Sequence, residues 1–371
     1  MKTPFLSKKL LSFFLLPFSF SLFAQSTQDS LPATQSGRSV GLKVQYGFII
    51  PHSQAIAEQA YSNPMVLQGE WAWQLAREKT RQTFGSFPRV GVHAWFIDFD
   101  NAEVLGQGIG ITPFFESFLW QKNTWQLSFK MGTGLVYLNK IYDEQRNPQN
   151  LFYSAPLSFL LYFDLSAYFR LSSRWQLQLS TYYNHISNGG MQLPNKGINF
   201  PTASIGFLYH LRPAIFPHSK VLPWRTLYQD RQSWHLNLLA TATTVAEGDE
   251  KRYPIVGVVL YFQQIVGRLS TLNFGAEWIA DEASRELSRR ASENISAHKA
   301  SLWVGHELML GRFRFSQALG VYLWNEQKGD SRLYQRYGLE WYWLKRCSIG
   351  FNLKSHGDVA DFMDLRLGYS W

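Results

Sequence analysis

Residues 157–171 read LSFLLYFDLSAYFRL. The odd positions Leu157, Phe159, Leu161, Phe163, Leu165, Ala167, Phe169 and Leu171 are all apolar, whereas the even ones include Ser158, Tyr162, Asp164, Ser166, Tyr168 and Arg170. Side chains alternate between the two faces of a strand, so this stretch predicts one long strand with an apolar face and a polar face. A helix would not keep the apolar set on one side. The strands of a soluble sandwich rarely run this long.

The alternation recurs along the chain. It is read at Trp125, Leu127, Phe129 and Met131, again at Phe313, Phe315, Leu319, Val321 and Leu323, and finally at Met363, Leu365, Leu367, Tyr369 and Trp371. Aromatic residues make up 16% of the chain and charged ones only 17%, yet the mean hydropathy is slightly negative. Beyond the first residues no stretch approaches the ~20 consecutive apolar residues of a spanning helix. Residues 1–24 have the layout of a cleaved export signal: Lys2, Lys8 and Lys9, an apolar run from Leu10 to Phe23, and the small Ala24. An exported, aromatic-rich chain that hides its hydrophobicity in alternation predicts an antiparallel transmembrane β-barrel in an outer membrane. The aromatic Trp371 closing the last alternating segment resembles the C-terminal sorting signal of outer-membrane proteins.

Setting the leader aside lowers the formal net charge from +9 to +6, a surplus compatible with anionic lipid headgroups, and no nucleic-acid partner is expected. The single cysteine, Cys347, rules out an intramolecular disulfide framework.

Strand-like segments fall into two groups, one from Gly41 to Leu211 and one from His235 to Trp371. The domain reading is therefore a leader (1–24), a first set of barrel strands (25–212), a connecting stretch (213–233) and further barrel strands (234–371). Pro213, Pro217 and Pro223 keep the connecting stretch from being a central strand. It is either a long loop within one barrel of about 14–16 strands or a linker between an eight-stranded barrel and a second β domain. The even strand total and the single terminal sorting-like strand favour one barrel, in which the last strand would close on the first. Dense charge with helical periodicity between Glu282 and Glu293 predicts a helix in an external loop.

Chemistry concentrates at Thr181 to Pro201, TYYNHISNGGMQLPNKGINFP. His185 and Ser187, at i and i+2 on a strand, project to the same face. Parity along Trp175, Leu177, Leu179, Thr181 and Tyr183 puts both on the lipid-facing row, which suits a substrate arriving laterally from the membrane. His185-Ile186-Ser187-Asn188 followed by Pro194-Asn195-Lys196-Gly197 resembles the signature of the PagL-type outer-membrane lipid A deacylases, a group often labelled acyloxyacyl hydrolase-like. The resemblance covers about Gly41 to Leu211 and leaves the second half outside it.

What the resemblance implies is hydrolysis of the acyl ester at the 3 position of lipid A, the lipid anchor of lipopolysaccharide. Ser187 matches the nucleophile and His185 the general base. Asn195, with Asn188 and the backbone amides of Gly189 and Gly190, matches the region that stabilises the oxyanion. No metal or organic cofactor is implied. The family's acid, two residues after the glycine, is replaced here by Asn199. An asparagine oxygen can still accept a bond from imidazole, but it cannot stabilise the imidazolium by charge. Glu116, sharing parity with Phe114, Phe118 and Trp120 on an apolar row, is the candidate substitute acid. Two other readings stay open: a non-catalytic barrel of porin-like or structural type, and a phospholipase-type esterase using the same serine and histidine.

Overall fold

The computed structural model describes residues 34–371 apart from 123, 219, 248, 328–330 and 358; the expected leader at 1–24 lies outside the described residues. Eight strands form a first closed barrel: β1 (Gly37–Gly47), β2 (Met65–Gln74), β3 (Arg89–Asp98), β4 (Gln107–Gln121), β5 (Trp125–Leu138), β6 (Leu157–Arg170), β7 (Trp175–Ser187) and β8 (Ile198–Arg212). Eight more form a second: β9 (Gln232–Thr243), β10 (Tyr253–Ile265), β11 (Ser270–Asp281), β12 (His298–Leu310), β13 (Phe313–Trp324), β14 (Leu333–Tyr342), β15 (Cys347–His356) and β16 (Val359–Ser370). Every neighbouring pair is antiparallel.

The single large barrel favoured from the sequence is thereby corrected, and the eight-stranded barrel followed by a second β domain holds. A strand has only two edges, and those of β1 are taken by β2 and β8, with Val44 opposite Ile205. β16 therefore closes on β9, and Trp371 exchanges both backbone bonds with Trp234 at 3.0 and 3.1 Å. Closure removes all exposed strand edges, as a bilayer requires.

Parity assigns the faces as the sequence indicates. On β6, Leu157 and Leu165 are exposed on the outside, while Ser158, Tyr162, Asp164, Ser166 and Tyr168 are buried inside. An eight-stranded barrel is just wide enough for side chains to fill its interior. In the first barrel, Glu70 accepts from Lys43 (3.0 Å), Lys130 (2.9 Å) and His93 (2.9 Å), and Glu116 pairs with Arg89 at 2.6 Å. In the second, Arg336 bridges Asp364 (2.5 Å) and Glu277 (2.6 Å). Charges this deep persist only when paired.

The barrels are joined at both ends. At one end, helix α1 (Glu78–Phe84) meets the connecting stretch, where Gln82 donates to the Lys220 carbonyl at 2.9 Å and accepts from the Leu222 amide at 2.9 Å. Arg268, in the β10–β11 turn, donates to the carbonyls of Gln82 and Leu222. The other end carries the long loops, including helix α2 (Glu282–Arg290), which Asp281 caps by accepting the Ser284 amide at 2.9 Å.

Removing one partner from a buried charge cluster leaves the others uncompensated, so Glu70→Ala should destabilise the first barrel by about 3–5 kcal/mol. The temperature at which the folded band converts to the unfolded one on a heat-modifiability gel should fall clearly below that of the parent chain. An unchanged conversion temperature would show that the cluster contributes nothing to stability.

Candidate active site

β7 and β8 pair in a register that sets His185 directly opposite Asn199. Such cross-strand neighbours lie ~5 Å apart at Cβ. Here His185 Nδ1 lies 2.7 Å from Asn199 Oδ1. Both follow the outward row of their strands, yet His185 is only half-exposed and Ser187 is buried, because the loop after β7 folds back over them.

That loop, residues 188–197, is pinned by backbone bonds from Lys196 N–H to the Leu151 carbonyl (3.0 Å) and from Gly197 N–H to the Phe152 carbonyl (2.8 Å). Gly197 has φ +72°, and a Cβ there would sit 2.8 Å from His185 Cε1. Only glycine lets the imidazole lie this close to the backbone in that conformation.

Ser187 Oγ accepts from Asn195 Nδ2 at 3.0 Å and from the Gly189 N–H at 3.0 Å. The Asn188 N–H donates to Asn195 Oδ1 at 3.0 Å, which turns the Asn195 amide so that its NH2 faces the serine. Among the described residues no hydrogen bond joins His185 to Ser187; the serine oxygen accepts from Asn195 and Gly189 and its hydroxyl faces Asn195 Oδ1 at 3.4 Å, as is common before substrate tightens a site.

Five of the residues expected from the sequence thus converge: His185, Ser187, Asn195, Asn199 and Gly189. Asn188 is brought alongside, but its side chain turns away, donating to Ser154 Oγ at 3.2 Å and to the Gln192 carbonyl at 2.7 Å. With its own N–H taken by Asn195, it braces the loop and offers no free donor to an oxyanion.

Glu116 is not brought to His185. It faces the barrel interior, bound to Arg89, Ser128 and Tyr168, and pairs in register with Arg89, the first residue of β3, toward the opposite end of the barrel. The parity reading failed because Phe114 and Phe118, apolar residues expected to face lipid, point into the barrel beside Lys130 and Arg89, and only Trp120 faces outward. The irregularity between Phe118 and Trp120 shifts the alternation by one and turns Trp120 outward. Phe114 points inward with Glu116, its ring 4.7 Å from Lys130 Nζ, while Trp120 of the same parity is exposed.

One neighbour was not foreseen. His52, in the loop after β1, places Nδ1 3.4 Å from Asn199 Nδ2 and Nε2 2.9 Å from the Lys196 carbonyl. It lies far from the motif in sequence, and no spacing rule reaches a loop residue across a barrel seam.

The second barrel also touches the site. Thr243 Oγ1 donates to the Gly190 carbonyl at 2.5 Å, the Leu193 N–H donates to Thr244 Oγ1 at 3.3 Å, and the ring of Phe159, opposite Ser187, lies tilted against that of Phe351 of β15 with centroids 6.3 Å apart. A hydroxyl among fixed donors, beside an oriented imidazole, holds the elements of acyl transfer.

Comparison with known proteins gives two family matches. Residues 59–207 match the model described as lipid A 3-O-deacylase (PagL), and residues 232–371 match that of the acyloxyacyl hydrolase C-terminal domain. The second half, outside the sequence resemblance, thus has a family match of its own. No curated protein matches the chain. Among solved structures, the outer membrane enzyme PagL is 16% identical over 45% of this chain and 97% of its own, with a TM-score of 0.35. A mutant of the Rh. blastica porin is 9% identical over 91% of this chain and 100% of its own, with a TM-score of 0.20.

Gly190 has φ +74°, and a Cβ there would meet the Asp361 carbonyl at 2.7 Å. Gly190→Ala should therefore loosen the loop from the second barrel and speed tryptic cleavage after the exposed Lys196, with the heat-modifiable band retained. Unchanged cleavage would mean that the second barrel does not brace the loop.

Proposed function

The first barrel matches the lipid A 3-O-deacylase (PagL) family and the second the acyloxyacyl hydrolase C-terminal domain, and on that premise we propose that the chain hydrolyses the 3-O acyl ester of lipid A with Ser187 as nucleophile and His185 as general base. The observation that carries the reading is the 2.7 Å contact between His185 Nδ1 and Asn199 Oδ1. A carbonyl oxygen can only accept, so the imidazole proton sits on Nδ1 and Nε2 is left with its lone pair free to take a proton.

The reaction requires Ser187 to turn about χ1 so that Oγ meets Nε2. Oγ attacks the ester carbonyl carbon as His185 takes its proton, and the carbonyl oxygen becomes an oxyanion. The NH2 of Asn195 and the Gly189 N–H, which hold the serine oxygen before reaction, are the donors nearest that charge. Collapse of the intermediate breaks the C–O bond to the sugar, and His185 returns the proton to the departing 3-oxygen. Water, activated by the same imidazole, then attacks the acyl-serine and releases the fatty acid with the serine restored.

The outward position of the site agrees with the substrate. A glycolipid in the outer leaflet presents its ester linkage near the headgroup boundary and its acyl chains to the barrel exterior, the face on which His185 and Ser187 sit. Removing the nucleophile removes the covalent route, and losing one oxyanion donor lowers kcat about 10²–10³-fold.

Mass spectrometry of lipid A from cells carrying the protein should therefore show loss of one 3-O-linked hydroxyacyl chain. That loss should vanish with Ser187→Ala and nearly vanish with Asn195→Ala. Unchanged lipid A accompanied by new lysophospholipid would move the assignment to a phospholipase, and persistence of the lipid A change in Ser187→Ala would remove the serine from the mechanism.

A further inference from the structure

Asn199 stands where the family carries an acid, and an amide, unlike a carboxylate, has two inequivalent ends. With Oδ1 toward His185 it accepts the Nδ1 proton and leaves Nε2 basic. Turned over, its NH2 donates into the Nδ1 lone pair, the ring proton moves to Nε2, and the ring can no longer accept the serine proton. The energetic difference between these two states decides whether an asparagine can serve here at all.

We infer that His52 makes that choice: it is a positioning residue that holds the Asn199 amide with Oδ1 toward His185. The inference rests on the serine–histidine reading above and extends it to a residue outside the family motif.

One backbone carbonyl fixes the whole chain of protons. Lys196 O can only accept, and it lies 2.9 Å from His52 Nε2, so Nε2 carries the His52 proton. His52 Nδ1 is then an acceptor, facing Asn199 Nδ2 at 3.4 Å, which donates to it. Asn199 Oδ1 is left facing His185 Nδ1 at 2.7 Å and accepts from it. The Ile50 carbonyl, 3.5 Å from His52 Nδ1, sets two acceptors side by side and forms no bond. The reversed amide would set its oxygen against the lone pair of His52, and a reversed His52 would set its Nε2 lone pair against Lys196 O.

The backbone holds these partners in reach of one another. The Ile50 N–H donates to the Asn199 carbonyl at 2.8 Å and the Phe48 N–H to the Pro201 carbonyl at 3.2 Å, so the segment leading into His52 is tied to β8 at Asn199 and at Pro201. The same loop that carries Asn195 supplies the Lys196 carbonyl, so the donor side and the base side of the site share one scaffold.

The test uses the full chain in detergent micelles, with purified lipid A as substrate and released 3-hydroxy fatty acid as the readout. General-base catalysis contributes about 10²–10⁴-fold, and because Asn199 can still accept part of the time, His52→Ala should lower kcat about tenfold with KM little changed. His52→Gln, whose amide can donate to Lys196 O and accept from Asn199, should restore most of the rate. Asn199→Asp presents two equivalent oxygens and needs no orienting, so His52→Ala in that background should change kcat less than about twofold. The inference is overturned if His52→Ala alone leaves kcat unchanged, if His52→Gln is as slow as His52→Ala, or if the tenfold penalty persists beside Asn199→Asp. Ser187→Ala in the same assay separates the two levels: an active Ser187→Ala sinks the serine mechanism, whereas an inactive one with a silent His52→Ala sinks only the role of His52.

Discussion

Closure is the constraint on which everything else in this chain depends. A strand in a bilayer has no water to satisfy its backbone groups, so each must pair on both edges, and the sequence meets that demand twice with eight strands each time. Eight strands leave an interior that side chains must fill. In the first barrel they fill it with charge. Glu70 gathers Lys43, Lys130 and His93, and Glu116 holds Arg89, linking β1 to β5 through their inward rows. A one-residue slip in any strand would turn these ions into the lipid and the apolar row inward. The interior thereby fixes the register, and the register sets His185 against Asn199.

The site inherits its precision from that scaffold and its chemistry from the loop beyond it. Two asparagines act as oriented amides. Asn195 is turned by the Asn188 N–H so that its NH2 meets Ser187, and Asn199 is set between two histidines. A carboxylate would need no such orientation, so the neutral residue at 199 is tolerable only where neighbours make one end of the amide preferable. The Lys196 carbonyl and His52 supply that preference from opposite sides of the β1–β8 seam.

Much of this was legible in the sequence, for reasons that can be named. Strand parity is enforced by the difference between lipid and packed interior, so Leu157 to Leu171 announced its faces, and the outward placement of His185 followed. The motif residues converge because most lie on two adjacent strands and the loop between them. Parity gave the wrong face for Glu116 because Phe114 and Phe118 are aromatic residues of the packed interior, and an apolar side chain does not by itself distinguish interior from lipid. The number of barrels was not legible, since alternation reports which face a residue takes and says nothing of which strand closes on which. His52 was out of reach for the same reason: its partners are set by closure of β1 on β8.

Closing the chain twice also gives the second barrel a place beside the chemistry. Thr243 at the end of β9 and Thr244 beyond it reach the loop after β7, and β15 and β16 present Phe351 and Met363 against Phe159 and Gly189. Gly189 and Gly190 both adopt the left-handed backbone conformation, at φ +69° and +74°. A glycine pair free to move would lose much entropy on becoming fixed, and the Gly189 N–H could point elsewhere than at Ser187. Packing against a second rigid body bears that ordering before substrate arrives. Preorganised donors are what an oxyanion requires, because a donor that must reorient during reaction gives back much of its stabilisation. A single eight-stranded barrel would have to fix such a loop from its own rim. In this chain the neighbouring barrel's strands form the other side of the clamp, and Ser187, the proposed nucleophile, lies at the seam between them.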